Sequence, residues 1–331
     1  MKILLTTPIL HWNERYFPEH LLERMAALGE LRLNETGAAF SREDLMSRLS
    51  DVDVVVTHWG SLQYDAEILD KAPNLKVIAH CAGTVATIAS EESYKRGIQT
   101  LSANPVMCKY VAEWTLGAII NGLREFRKHD NIMREGLWHR STDVTRSIYD
   151  VKIGLIGMGA IGRILLDLLA PFESQVLVYD PFINEDALAK WPNARLASFE
   201  EVMHCPVVSL HASKTPQTYH MINAESLAMM PDGGLLINSA RAALIDTEAL
   251  LAELQSGRIS AALDVFDKER CAQDERLLAC VDNTLLQSHM AAVPAGACMT
   301  EAIVEDLERF AKGEPMVNTV SVEKFRLMTQ E

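Results

Sequence analysis

Two doubly wound α/β domains, each on a parallel sheet, are what this 331-residue sequence predicts. Three observations carry the prediction. Short apolar runs alternate with longer amphipathic stretches almost throughout, which is the pattern of βαβ units. At roughly 100–200 residues per domain, the length is enough for two cores. A break at Asn104-Pro105 separates one alternating series from a second that begins at Val151.

In the first series the strand candidates are Ile3–Thr6, Asp53–Thr57, Leu75–Ala79 and Gln99–Leu101. Helical stretches His20–Ala27, Arg42–Leu49 and Ala66–Lys71 lie between them. After Pro105 a long helix is expected over Val106–Glu135, with Trp114, Ile119, Ile120 and Leu123 at helical spacing and Gly136 as its stop. The second series offers strands at Val151–Ile156, Gln175–Tyr179, Val207–Leu210, Leu235–Asn238, Ala261–Leu263 and Leu285–Gln287. From Pro294 the chain turns helical again through Thr300–Lys312 and ends in a polar tail. There is no internal repeat and no low-complexity linker. A helix after the second sheet, with no linker, implies that the C-terminus returns to the first domain. The expected division is residues 1–103 with 294–331, and residues 104–293, with crossings near 102–105 and 288–295.

Composition narrows the function classes. The chain has 31 basic and 45 acidic residues, a formal charge of −14, and no basic tract, which argues against nucleic acid or an anionic membrane surface as partner. Apolar residues at 48% and charged residues at 23% are globular averages, against disorder, collagen and coiled coil. Cys81, Cys108, Cys205, Cys271, Cys280 and Cys298 show no Cys-x-x-Cys and no metal-ligand spacing, so they read as reduced thiols. The apolar start Met1–Leu5 meets His11, Asn13, Glu14 and Arg15 too soon to be a signal-peptide core. The longest stretch free of Asp, Glu, Lys and Arg, Asn283–Thr300, carries Asn, Gln, Ser, His and Pro and cannot span a membrane. A cytoplasmic protein is expected.

The run V-K-I-G-L-I-G-M-G-A-I-G places Gly157, Gly159 and Gly162 as G-x-G-x-x-G, after a strand and opening a helix (Arg163–Ala170). Each glycine has a reason: Gly157 permits the tight turn, Gly159 lets a pyrophosphate approach the backbone, and Gly162 lets helix and strand pack closely. The helix N-terminus offers unpaired N–H groups and a positive dipole end to the phosphates, and Ala160 and Ile161 in the turn before it are expected to line the cofactor. The next strand ends in Tyr179-Asp180, 23 residues after Gly157, where a carboxylate would meet a ribose 2′-hydroxyl. Asp180 would repel a 2′-phosphate, and Pro181-Phe182-Ile183 supplies no cation to neutralise one. NAD is the expected cofactor.

Three charged or titratable groups stand at or just after strand ends in the second series: Arg241, Glu269 and His289. In an open α/β sheet, ligands bind outside the carboxyl ends of the strands, so all three are expected at one crevice. An arginine fork can hold a carboxylate. A histidine beside a carboxylate can give a proton to a carbonyl oxygen while hydride arrives from a nicotinamide. The remaining histidines form no H-E-x-x-H or comparable set, and no metal site is expected.

These residues resemble those of the D-isomer-specific 2-hydroxyacid dehydrogenases, from about Pro73 to Pro315 and most densely in the second series. I-G-L-I-G-M-G-A-I-G-R looks like the family's nucleotide fingerprint, and S-L-H-A-S-K-T-P-Q-T looks like its LHxPLTPET stretch, without the usual proline at Ala212-Ser213-Lys214. I-N-S-A-R-A-A-L-I-D-T-E-A-L is similar to the N-x-x-R-G-x-x-V-D-E-x-A-L block, with Ala242 for the glycine, and A-L-D-V-F-D-K-E matches A-L-D-V-F-x-x-E. The chain departs from the family at Arg270, where proline usually follows the glutamate, and at Ser288, which replaces the proline before His289. Asp267 is therefore a rival to Glu269. In the first domain the family's glycine-rich loop is present as H-C-A-G-T-V-A-T, with Ala82, Gly83 and Thr84 the best local match.

The resemblance implies a Rossmann NAD-binding domain inserted into a flavodoxin-like substrate domain. It implies that Arg241 binds the substrate carboxylate and carbonyl, that Glu269 orients and charges His289, and that His289 is the acid/base. Ala82, Gly83 and Thr84 would hold the substrate carboxylate through backbone N–H groups. Ser239, Ala240, Arg241 and His289 would line the cofactor with the glycine turn, and Asp264 would sit near its nicotinamide end. The helix around Trp114 would help build a two-fold dimer. The expected activity is interconversion of a small 2-oxo acid and its D-2-hydroxy acid. Two alternatives stand beside it: an NAD(H)-sensing, corepressor-like protein, and different chemistry on the same fold, such as formate or phosphonate oxidation. Formate enzymes of the family carry glutamine in place of the glutamate, and D-V-F-D-K-E-R has none.

Overall fold

A computed structural model of the chain describes residues 1–9, 14–138, 145–269 and 273–328. His11, Asn13, Arg270 and Cys271 lie outside the described residues. The chain divides into two compact units, Met1–Met107 with Ala295–Glu331, and Cys108–Pro294.

The first unit holds a five-stranded sheet of β1 (Lys2–Pro8), β2 (Glu30–Asn34), β3 (Val54–Thr57), β4 (Val77–His80) and β5 (Gln99–Ser102). Its order is β2-β1-β3-β4-β5 and every pairing is parallel, the flavodoxin-like arrangement. β3 and β4 are buried along their whole length, as strands covered on both faces must be. Leu4, Leu45, Val55, Ile68 and Ile78 belong to one apolar cluster of this unit. The strand β2 is not among those the sequence pattern predicts. Its residues, Glu-Leu-Arg-Leu-Asn, alternate polar and apolar at the sheet edge, so no apolar run announces it.

The second unit holds seven parallel strands: β6 (Ile153–Ile156), β7 (Val176–Tyr179), β8 (Ala194–Leu196), β9 (Val207–Leu210), β10 (Gly234–Asn238), β11 (Ile259–Leu263) and β12 (Thr284–Leu286). The order β12-β11-β10-β9-β6-β7-β8 is the Rossmann arrangement with one added edge strand, and its direction of winding reverses between β6 and β9. Successive residues of a strand enter opposite layers: Val208 and Leu236 join one apolar cluster, Val207 and Leu235 the other. Edge strand β8, three residues long and partly exposed, also escapes the sequence pattern.

The long helix expected over 106–135 is two helices, Asn104–Arg124 and Phe126–Arg134. Glu125 between them adopts a left-handed conformation, φ 48°, and a single such residue breaks the backbone ladder without disturbing the apolar spacing. The helix after the glycine turn begins at Ala160 and runs to Leu169, opening three residues earlier than expected. At the C-terminus, the helix Gly296–Ala311 is pinned to Glu19–Ala27 by Arg24, whose guanidinium forks onto Glu308 at 2.8 and 3.0 Å. The polar tail expected after it is folded: Val320 and Phe325 are buried, and Val322–Arg326 is helical. Among the described residues no helix is long and apolar enough to cross a membrane.

Candidate active site

All strands of the second sheet are parallel, so the turns after β6, β9, β10, β11 and β12 emerge at one edge. Ligands of open α/β sheets bind at this carboxyl edge, at the point where the strand order reverses.

The turn after β6 has the form the three glycines require. Gly157 has φ 97°, and a Cβ there would stand 2.7 Å from the Ala212 nitrogen on the neighbouring strand's exit. A Cβ on Gly162 would meet the Gly157 carbonyl oxygen at 2.8 Å, whereas one on Gly159 would meet nothing within 4 Å. So Gly157 and Gly162 are demanded by packing, and Gly159 keeps open the space in front of the helix. Among the described residues the N–H groups of Ala160, Ile161 and Gly162 have no partner, as at any uncapped helix start. Such a helix start would offer an anion these donors together with the positive end of the helix dipole. Asp180 follows β7 and braces this turn: its carboxylate accepts the N–H of Met158 at 2.7 Å and that of Phe182 at 2.9 Å. A glycine cradle, free helix-start donors and a carboxylate at the end of the next strand fit a dinucleotide with an unphosphorylated ribose.

After β10 the side chain of Asn238, the first residue of the N-x-x-R block and one given no role from the sequence, organises the turn. It accepts the Ala240 N–H at 3.0 Å and donates to the Arg241 carbonyl at 2.9 Å. Ser239 lies against the Thr115 hydroxyl, 3.5 Å away. Arg241 leaves this clip with Nη1 donating to the Ala240 carbonyl at 2.7 Å. Among the described residues no carboxylate pairs with Arg241, so its fork is available to an acidic ligand.

After β12 comes His289, at φ 56°, a conformation that non-glycine residues rarely hold unless surroundings enforce it. The enforcement comes from Asp264, at the end of β11 and 1% exposed. Its carbonyl accepts the His289 N–H at 2.8 Å, and its carboxylate accepts the N–H groups of Met290 and Ala291 at 2.7 and 3.0 Å. Burial pushes the Asp264 carboxyl above its usual range, against those two hydrogen bonds. Nδ1 of His289 lies 2.8 and 3.0 Å from the two carboxylate oxygens of Glu269. Asp267, the rival, accepts instead from the Thr247 hydroxyl at 2.6 Å, at the start of helix Thr247–Ser256. Of the two carboxylates, Glu269 is therefore the one in contact with the ring, and the contact is made through Nδ1.

Two further residues escape the sequence reading. Gln287, two positions before His289, accepts the Trp114 indole N–H at 2.6 Å, which gives Trp114 a polar task besides packing. His211, at the exit of β9 beside the glycine turn, is desolvated so that its pKa falls to about 4, and its Nε2 lies 3.0 Å from the Ser209 hydroxyl. Among the described residues no group of three or more His, Cys, Asp or Glu could hold a metal ion.

In the first unit, Ala82, Gly83 and Thr84 follow β4 at the carboxyl edge of its sheet. The loop is mostly buried, yet among the described residues the N–H groups of Ala82, Gly83, Thr84 and Val85 have no hydrogen-bond partner. Buried amides left unpaired are costly, and a run of them is a ready receptor for an anionic oxygen. The Gly83 carbonyl is held by the Ser102 hydroxyl.

The chain is similar in sequence and fold to known proteins. Residues 116–291, more than half of the chain, match the model of the D-isomer specific 2-hydroxyacid dehydrogenase NAD binding domain. A glyoxylate reductase of Thermofilum pendens is 34% identical over 282 residues, covering 83% of each chain. A glyoxylate reductase of Korarchaeum cryptofilum is 30% identical over 93% of this chain and 95% of its own. Among solved structures, a protein from Thermus thermophilus superposes with a TM-score of 0.79 at 28% identity, covering 97% of this chain and 100% of that one.

Proposed function

The chain belongs to the D-isomer-specific 2-hydroxyacid dehydrogenases, and on that premise we propose that it reduces a small 2-oxo acid to its D-2-hydroxy acid with NADH, or runs the reverse reaction. The observation that carries the reading is the contact of His289 Nδ1 with the Glu269 carboxylate at 2.8 Å, at the same sheet edge as Arg241 and the glycine turn. Arg241 binds the substrate carboxylate with its fork and polarises the neighbouring carbonyl. The Ala82–Thr84 loop supplies backbone N–H donors to the carboxylate. Bound NADH supplies the hydride that reduces C2. His289, with Nδ1 fixed by Glu269, gives the proton from Nε2 to the oxygen on C2 and takes it back in the oxidative direction. Asp264 keeps His289 in its left-handed conformation. Ser239, Ala240, Arg241 and His289 line the cofactor together with Gly157, Gly159, Ala160, Ile161, Gly162 and Asp180. Asp264 belongs to the nicotinamide end through the segment that it holds. The protein works as a cytoplasmic homodimer, with the helix around Trp114 at the two-fold contact. Residues 1–103 with 294–331 serve as the substrate domain and 104–293 as the NAD-binding domain.

Oxidation of NADH against glyoxylate, hydroxypyruvate, pyruvate and branched or aromatic 2-oxo acids tests the reading. Turnover of one member is expected, with NADH favoured over NADPH because Asp180 repels a 2′-phosphate. NADH binding with no turnover anywhere in the panel would shift the assignment to a nucleotide sensor.

A further inference from the structure

The Ala82–Thr84 loop is short and carries unpaired donors, so something must hold its shape. Three contacts from the C-terminal segment reach it or the residues beside it. Ser102 is the first: its hydroxyl bonds the Gly83 carbonyl, and its own N–H donates to the Asn318 carbonyl at 3.0 Å. One residue thus ties loop and tail together. The second is apolar, a closed cluster of Val85 and Ala89 from the loop side with Val320 and Phe325 from the tail. The Phe325 ring stacks obliquely on Tyr94, with centroids 5.1 Å apart. The third is the Thr84 hydroxyl, which donates to the Met328 sulfur at 3.8 Å.

The tail is itself anchored at both ends. Asp306, 1% exposed, accepts the N–H groups of Val317 and Asn318 at 2.6 and 2.8 Å and the Asn318 side-chain amide at 2.9 Å. At the far end the Arg326 guanidinium forks onto Glu91 at 2.7 and 2.8 Å. Between them Val320 donates to the Thr100 carbonyl at 2.9 Å. A segment needing only to be out of solvent would not require this many directed bonds to one region.

We propose that the segment 317–328 is a positioning element for the Ala82–Thr84 loop, with Phe325 its keystone; the proposal rests on the reading of that loop as the carboxylate site. Groups that bind a reacting molecule act within a few tenths of an ångström, so loosening their support weakens binding without touching the chemistry. Phe325→Ala is therefore expected to raise KM for the 2-oxo acid about tenfold or more. Its kcat should fall by less than threefold, and NADH affinity should stay within twofold of the parent. Phe325→Leu should restore most of the loss, and Arg326→Ala should show a smaller change in the same direction.

The experiment is steady-state kinetics on the full-length variants, with NADH fluorescence titration and oxalate as a non-reacting carboxylate probe. A folded Phe325→Ala protein with a lowered melting temperature but unchanged KM and unchanged oxalate affinity would overturn the proposal alone. If the parent binds oxalate but turns over no 2-oxo acid, the function falls, and oxalate affinity then decides the proposal: a tenfold loss in Phe325→Ala supports it and an unchanged affinity overturns it. A parent that neither reacts nor binds oxalate would end both.

Discussion

Met290 donates its backbone N–H to a carboxylate oxygen of Asp264 at 2.7 Å, so a buried acid at the end of one strand holds the residue after His289 on the next. Ala291 takes the other oxygen at 3.0 Å. Asp264→Asn keeps the shape but turns one acceptor into a donor that faces an N–H. Leaving a buried donor unpaired costs about 1–3 kcal/mol. Denaturant unfolding should report a loss of that size, and kcat should fall because the segment that follows His289 loses one of the two side-chain bonds that hold it. A variant as stable and as active as the parent would show that Asp264 has no such role.

The acid/base assignment is best tested with His289→Asn, because asparagine tolerates positive φ better than other polar replacements. Turnover should fall about a hundredfold or more while NADH binding stays near normal. Ordinary turnover would remove His289 from the chemistry.

The choice between two carboxylates gives a paired test. Glu269 contacts the His289 ring and Asp267 contacts Thr247. Glu269→Gln should lower kcat and change its pH profile, whereas Asp267→Asn should leave both close to the parent. The reverse pattern would transfer the role to Asp267.

Arg241→Lys retains the charge but loses the planar fork. KM for the 2-oxo acid is expected to rise about tenfold or more, which corresponds to roughly 1.4 kcal/mol of lost binding. NADH affinity should be unchanged. An unaltered KM would place the carboxylate elsewhere.

Stability should fall in mild acid, for a reason rooted in the first unit. His58 and His80 are 3% and 2% exposed, and burial pulls their pKa values from 6.5 down to about 4 and about 3. Below pH 6.5 the unfolded chain takes up protons that these folded-state rings refuse, so stability rises with pH in this window. The full contribution is present above about pH 6.5 and is lost as pH falls towards 4. Melting temperature should be level from pH 8 to 7 and drop between pH 6.5 and 4.5. A flat profile across that lower window would mean that the buried rings do not resist protonation.

Much of the candidate nucleotide site was legible in the sequence because its demands are local. Gly157 must turn at positive φ, Gly162 must admit a neighbouring carbonyl, and Asp180 must end the next strand, all within one βαβ unit. The strands covered on both faces were legible for a similar reason, since continuous burial leaves an apolar run. Edge strands β2 and β8 were not, because half-exposed residues alternate or are too few. Neither was the break at Glu125, a single dihedral that leaves helical spacing intact.

By itself the sequence determined the fold class, the glycine turn, the position of a carboxylate at the end of β7 and the candidates Arg241, Glu269 and His289. Only tertiary structure decided which acid faces His289, because Glu269 and Asp267 are two residues apart in one turn and differ in what the fold brings to them. It alone revealed Asp264 as the brace of His289, Asn238 as the clip of Arg241, and the tail from Val317 as support for the Gly83 loop. Each of the first kind follows from the backbone conformation of a few neighbouring residues. Most of the second are contacts between segments far apart in the chain, and the Asn238 clip, though local, is a side-chain hydrogen bond seen only once the turn has folded.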